Sequence, residues 1–215
     1  MKILIPARAG SKRIPKKNLI DLQGRPLISY VIETSLQLTD EVYVSTDSEE
    51  IQQVSENWGA KVIRRPSLLS TDTATTNSVV EHFLDTIEGG EFFACVQPTS
   101  PLLTSDYLKT GFANIADNKY DSIISATKNT NFFWTDAGDP INFEINRKPR
   151  TQEMDTWYAE NGAFYLTTRN NFLKTKKLSN GRVGFVIMPQ IKSFEIDTYE
   201  DLDLVEKMLL SLRRK

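Results

Sequence analysis

Lys2-Ile3-Leu4-Ile5-Pro6-Ala7-Arg8-Ala9-Gly10-Ser11-Lys12-Arg13-Ile14-Pro15-Lys16-Lys17-Asn18 is the stretch from which the rest of the chain can be read. Ile3 to Ile5 is a short apolar run of the kind that forms a buried strand. Pro6 breaks it, and Arg8, Lys12, Arg13, Lys16 and Lys17 then crowd around one glycine and one serine. Taken on charge alone this is a solvated basic loop between a strand and a helix. But clustered cations repel one another unless an anion sits among them. A Gly-Ser pair after a strand also lets backbone N–H groups point into one space. The chemistry is that of a polyphosphate cradle, although neither G-x-x-x-x-G-K-[ST] nor G-x-G-x-x-G is present.

Outward from this loop the pattern is regular. Apolar residues at 27, 28, 31, 32 and 36 follow the helical period after Pro26. Glu41 to Ser45 alternates as a strand, Thr46 to Glu50 reads as an N-cap with an acidic first turn, and a helix over 49–57 and a strand over 61–64 follow. The order β-α-β-α-β predicts a parallel sheet with right-handed crossovers. Helices are also expected over 77–87, 108–116 and 200–212, and strands over 92–97, 122–126, 163–167 and 184–188. No repeat or linker divides the chain, so residues 1–215 read as a single α/β domain.

Bulk composition narrows the partners. The chain has 215 residues, 40% of them hydrophobic and 25% charged, and a net charge of −2. A general nucleic-acid binder is basic overall, so local positive charge on an acidic background suits a small anionic ligand better than a polyanion. With one cysteine, Cys95, there is no intramolecular disulfide and no cysteine-rich zinc cluster. Cys95 lies in an apolar run and reads as buried packing. A single histidine, His82, argues against a His-based metal site or a Ser-His-Asp triad. No run approaches the ~20 apolar residues of a membrane span, and the first apolar run is too short for a signal peptide. A cytoplasmic protein without a membrane partner is the expectation.

Several loops carry more polar groups than folding needs. Ser67 to Thr76 is rich in hydroxyls, only some of which capping consumes. Pro98-Thr99-Ser100-Pro101 fixes an irregular loop at a strand's carboxyl end, where open α/β sheets place ligands. From about 128 to 160 the chain turns polar and aromatic, with Phe132, Phe133, Trp134, Phe143 and Trp157. So many aromatics predict an inserted arm on short strands that buries its apolar face elsewhere, as in dimerisation. Glu195 and Asp197 alternate with Phe194 and Ile196, which predicts a short strand with both carboxylates on one face. Such a pair invites Mg²⁺, which takes one or two carboxylates plus phosphate oxygens and water. Thr198-x-x-Asp201 reads as a capping box, and Arg213-Arg214-Lys215 as a solvated tail.

Six segments in order then resemble the sugar-acid cytidylyltransferases, specifically the CMP-sialic acid synthetase (acylneuraminate cytidylyltransferase) group. They are Ile5 to Asn18, Val44-Ser-Thr-Asp47, Arg65-Pro66 with Asp72-Thr-Ala74, Gln97 to Pro101, Glu160 to Tyr165, and Ile196-Asp197-Thr198 with Asp201-Leu202. The resemblance implies a Rossmann-like three-layer nucleotidyltransferase fold with a mostly parallel sheet, usually dimeric. The implied reaction joins CMP from CTP to the anomeric hydroxyl of a 2-keto sugar acid and releases pyrophosphate. By the same resemblance, Arg8, Lys17 and Asp197 are the catalytic residues. Ala7, Arg8, Gly10, Ser11, Lys12, Lys17, Asn18, Arg65, Ala74 and Thr76 surround the nucleotide. Gln97, Ser100, Arg150, Tyr158, Asn161 and Tyr165 meet the sugar, and Asp197 with Glu195 holds Mg²⁺.

The chain departs from the family's pattern in three places. Glu195 stands where an aspartate is usual, Leu103 where the fourth segment often carries arginine, and only Arg150 matches the arm's expected contact to the sugar's carboxylate. The related deoxyoctulosonate branch usually has an acid in the fourth segment, and this chain has none. Two rival readings share the phosphate loop. One is transfer to a sugar 1-phosphate, whose usual Gly-Gly-x-Gly-Thr-type opening is absent. The other is a catalytically silent nucleotide-binding protein of the same fold.

Overall fold

A computed structural model describes residues 1–212 of the chain; the basic tail predicted at 213–215 lies outside them. Strand β1 (Lys2–Pro6) runs into the basic loop. A small hairpin of β2 (Asp21–Leu22) and β3 (Arg25–Pro26) follows, turned by Gly24 at φ +78°. Then come α1 (Leu27–Leu36), β4 (Val42–Thr46), α2 (Glu49–Asn57), β5 (Lys61–Arg64), α3 (Thr76–Thr86), β6 (Phe92–Val96) and α4 (Ser105–Ala116). The remainder is β7 (Ser122–Asn129), β8 (Trp157–Thr168), α5 (Arg169–Thr175), β9 (Val183–Ile187) and α6 (Tyr199–Leu212).

Seven strands form one sheet in the order β5-β4-β1-β6-β8-β7-β9. Only β8 runs antiparallel to its neighbours. The predicted three-layer fold with a mostly parallel sheet is therefore what the chain adopts. The inner strands read as unbroken apolar runs because both faces are covered. Ile3, Ile5, Val42, Val44, Ala94 and Val96 pack beneath α1, α2 and α4. Their alternates Leu4, Tyr43, Phe93 and Cys95 pack against α3 and α5. Tyr43, Phe83, Phe93 and Phe172 form an aromatic row there, with centroids 5.6, 6.2 and 5.9 Å apart. Cys95 is fully buried, as its apolar context predicts.

From β1 the chain builds outward to β4 and β5, then crosses to β6 on the other side of β1. Strand order thus reverses between β1 and β6. At such a switch point, the loops leaving the carboxyl ends diverge and open a crevice. Those loops are the basic stretch after β1 and Gln97–Pro101 after β6.

Three sequence expectations are corrected. Residues 193–198 join no strand of the sheet; they are extended chain tied by the Ile196 N–H donating to the Thr99 carbonyl at 2.9 Å. The strand expected at 163–167 is longer, because Glu160-Asn161-Gly162 forms an irregularity within β8 rather than a lead-in. Within the arm, 130–156 holds one isolated bridge, Trp134 to Pro140, instead of short strands. Helix α5 has no counterpart among the predicted elements. It has seven residues, begins Arg169-Asn170-Asn171 and is started by Thr168, whose hydroxyl accepts from the Asn171 N–H. It is too short to show a helical period.

Candidate active site

The crevice is a chain of three cavities at the carboxyl edge of the sheet, and Gln97 borders all of them. The first, about 340 Å³, lies between the basic loop and Gln97-Pro98-Thr99. Arg8, Ser11, Lys12, Arg13, Lys17 and Asn18 line it. Asn18 is buried and fixes the loop's shape by donating from Nδ2 to the Arg8 carbonyl at 3.0 Å. Ala7 is buried at the base, its N–H donating to the Ser45 carbonyl. Gly10 is exposed at the loop's tip.

Lys16 turns away to Glu50, 2.7 Å off, and the loop's other four cations are held by two carboxylates. Lys17 Nζ lies 2.8 Å from Asp197 Oδ1, and an Arg13 guanidinium nitrogen lies 3.1 Å from Oδ2. Arg8 and Lys12 share Asp72 at 2.8 and 2.6 Å. Both carboxylates come from distant segments, which is why charge spacing alone could not pair them. Neither Arg13 nor Asp72 stood among the residues the resemblance selected, although both were visible as charges in or beside the matched segments.

The second cavity, about 170 Å³, is bounded by Arg8, Arg65, Ala74, Thr76 and Gln97. Arg65 is buried, donating from Nε to Ser45 Oγ at 3.1 Å and from Nη2 to the Ser45 carbonyl at 2.6 Å. Burial pulls its guanidinium down to about 10. Thr75 caps α3 by accepting from the Ser78 N–H, which presents Ala74 and Thr76 at the helix start. Of the predicted nucleotide residues, Arg8, Ser11, Lys12, Lys17, Asn18, Arg65, Ala74 and Thr76 line two adjoining cavities, and Ala7 and Gly10 line neither.

The third cavity, about 570 Å³, lies beyond Gln97 between Thr76, Gly162, Tyr165, Lys177 and Glu195. Tyr165 donates its hydroxyl to the Glu160 carboxylate, and burial first, then that carboxylate, raises its pKa. Glu195 accepts from Thr99 Oγ1 at 3.3 Å. Burial, then the nearby Asp197 charge, raises the Glu195 carboxyl. It has no salt bridge among the described residues. Gly162, at φ +67°, makes room for it, since a Cβ there would fall 2.7 Å from Glu195 Oε1.

Not every predicted sugar residue reaches this cavity. Asn161 commits Nδ2 to Ser193 Oγ at 2.7 Å and Oδ1 to the Ala163 N–H. Ser100 is buried with its hydroxyl unpartnered, under the loop rather than in a cavity. Tyr158 stacks on Phe185 at 5.0 Å on the sheet's outer edge. Arg150 is exposed in the arm, beside Glu153. Lys177 and Ser179, unmarked in the sequence, line the cavity instead. They are contributed by the connection after α5, the helix whose pattern was too short to see.

Among the described residues no three His, Cys, Asp or Glu side chains cluster as a metal cage. The Glu195–Asp197 pair nevertheless fits a nucleotide-borne Mg²⁺, which needs only one or two protein carboxylates beside phosphate oxygens. The observation that favours it is geometric: Glu195 is part-buried beside Asp197, forms no salt bridge among the described residues and accepts only from Thr99.

Comparison with known proteins shows the family and the fold. A family model described as cytidylyltransferase matches residues 2–213. A pseudaminic acid cytidylyltransferase of Campylobacter jejuni is 33% identical over 94% of the chain and 93% of its own length. An N-acylneuraminate cytidylyltransferase of Danio rerio is 33% identical over 96% of the chain, which spans only 51% of that protein. A CMP:2-keto-3-deoxy-manno-octonic acid synthetase solved with CTP is 20% identical, with a TM-score of 0.74 over 98% of both chains. That likeness concerns the fold.

Proposed function

The chain belongs to the cytidylyltransferase family, and from that premise we propose that it transfers CMP from CTP to the anomeric hydroxyl of a 2-keto sugar acid. The observation that carries this reading is the convergence of Arg8, Lys12, Arg13 and Lys17 on one cavity beside Gln97, with Asp197 at its edge.

In this reading the triphosphate occupies the basic cavity and the cytosine end rests between Arg65, Ala74 and Thr76. The sugar acid fills the cavity beyond Gln97, whose amide orients it toward the α-phosphorus. The anomeric hydroxyl gives up its proton to solvent as its oxygen forms a bond to that phosphorus in line. The bond from the α-phosphorus to the bridging oxygen breaks, and pyrophosphate leaves. Positioning and charge neutralisation are the demands of such a step. Lys17 and Arg13 face the α-phosphate end, and Arg8 and Lys12 the leaving end. Mg²⁺ held by Asp197, with Glu195 beside it, would neutralise phosphate charge and acidify the attacking hydroxyl.

A homodimer belongs to the same proposal. Strand β9 ends the sheet, and Phe185 and Ile187 project from it beside Trp157 and Tyr158, each 40–46% exposed. The aromatic arm adjoins this patch, and a second copy covering both would bury it. No helix among the described residues is long and apolar enough to cross a membrane. A cytoplasmic location, beside the CTP pool, completes the proposal.

The test is Mg²⁺-dependent pyrophosphate release with four nucleoside triphosphates against a panel of nine-carbon keto acids, an eight-carbon acid and sugar phosphates. Release with CTP and a keto acid alone is expected, and the panel names which acid. Release with a sugar phosphate would replace the proposal by the rival transfer. No release from folded protein that binds CTP would favour a silent binder.

A further inference from the structure

Asp72 stands inside the phosphate-binding arrangement without being one of its cations. It is on the hydroxyl-rich loop between β5 and α3, two residues before Ala74. Its carboxylate spans the cradle, with one oxygen 2.8 Å from Arg8 Nη1 and the other 2.6 Å from Lys12 Nζ. Arg8 Nη1 also donates to the Ser70 carbonyl of the same loop at 3.3 Å. A carboxylate bridging two cations satisfies the groups that a terminal phosphate would otherwise engage. Lys12 and Arg8 in turn hold the Asp72 carboxyl below its usual range.

We propose that Asp72 is an internal anion that competes with polyphosphate for Arg8 and Lys12, and so makes the site discriminate CTP from inorganic pyrophosphate. The inference rests on the nucleotide reading of the basic cavity. Any phosphate entering the cradle must displace Asp72 from both cations. Pyrophosphate, which has no base, gains no contact with the Asp72 loop in return. CTP also presents a base to Ala74 and Thr76, on the same loop and at the following helix start. Because Ala74 lies only two residues from Asp72, seating the base against it would couple base binding to withdrawal of the carboxylate. The same competition favours departure of the product, because the carboxylate returns to the cations as pyrophosphate leaves. Asp72 is thus a specificity-determining residue that need not touch the reacting atoms.

The experiment compares wild type, Asp72→Asn and Asp72→Glu by calorimetric titration with inorganic pyrophosphate, and by CTP binding in the same buffer. Two exposed ion pairs are at stake, so Asp72→Asn should bind pyrophosphate roughly tenfold tighter. CTP affinity should change by less, and Asp72→Glu should return pyrophosphate affinity toward wild type. Equal or weaker pyrophosphate binding by a folded Asp72→Asn would overturn the inference, because Asp72 would then be supporting Arg8 and Lys12 rather than competing for them. Pyrophosphate titration needs no turnover. Failure of the transfer reaction would therefore sink the proposed function while leaving this anion competition measurable.

Discussion

Two cations meet one carboxylate at Asp197, with Lys17 Nζ 2.8 Å and the Arg13 guanidinium 3.1 Å away. Substituting Asp197→Ala frees both cations and removes the metal-facing carboxylate. Turnover should fall by about 10²–10³-fold. The urea midpoint should correspond to a loss of no more than ~1 kcal/mol, since the carboxylate and Arg13 are solvent-accessible. Near-normal Mg²⁺-dependent pyrophosphate release would refute the assignment. Cys95 gives a prediction of another kind. Burial pushes its thiol up to about 12, well above the ordinary thiol range near 9. The folded state therefore keeps a proton that the unfolded chain releases. This contribution to stability is complete below pH 9 and is lost as pH rises from there toward 12, at about 1.4 kcal/mol per unit. Melts from pH 8 to 11 should decline less steeply for Cys95→Ala than for wild type. Parallel declines would show that the thiol is not shielded.

Elements decide where these side chains point. Strand β8 is regular against β7 except around 160–162, where its register shifts and Gly162 takes a left-handed conformation beneath Glu195. Gly162→Ala forces a Cβ toward Glu195 and strains the backbone. A destabilisation of about 1–2 kcal/mol in urea is expected. Turnover should fall with it, because the carboxylate is displaced from its place beside Asp197. Unchanged stability and rate together would mean that the irregularity has no structural role. The start of α6 offers a contrast. Thr198 Oγ1 accepts from the Asp201 N–H at 3.2 Å, and Asp201 accepts from the Thr198 N–H at 2.8 Å. This reciprocal cap was readable from Thr198-x-x-Asp201. Thr198→Ala should cost about 1 kcal/mol with most activity retained. A collapse in turnover without a stability change would instead place Thr198 in the chemistry.

At the scale of the whole molecule, the sheet ends at β9 beside an exposed apolar patch. Phe185 and Ile187 alternate outward on β9, and Tyr158 stacks on Phe185 at 5.0 Å. If a second copy covers this edge, Phe185→Glu buries a charge in the interface and should turn a dimer into a monomer in analytical ultracentrifugation. A monomeric wild type, or a dimeric variant, would count against the proposed pairing.

The sequence by itself determined the layers. Ile3-Leu4-Ile5, Val42 to Val44 and Phe92 to Val96 are unbroken apolar runs between helical periods, and only strands buried on both faces need that pattern. It also marked the basic loop, whose clustered charge is a local signal, and the resemblance of contiguous segments to a known family marked Arg65, Ala74 and Gln97. Tertiary structure decided the rest. Asp72 lies 64 and 60 positions from Arg8 and Lys12, and Asp197 184 and 180 from Arg13 and Lys17, and only the β1–β6 switch point brings them into one crevice. Lys177 reaches the large cavity through a helix too short to show a period. Asn161 and Tyr158 carry the polar groups a sugar site would use, yet folding spends one on Ser193 and Met188 and turns the other to an outer edge. Sequence spacing specifies which groups can form a strand or a cap. Which groups of distant segments meet depends on strand order and on one irregular step in β8, and no local pattern encodes either.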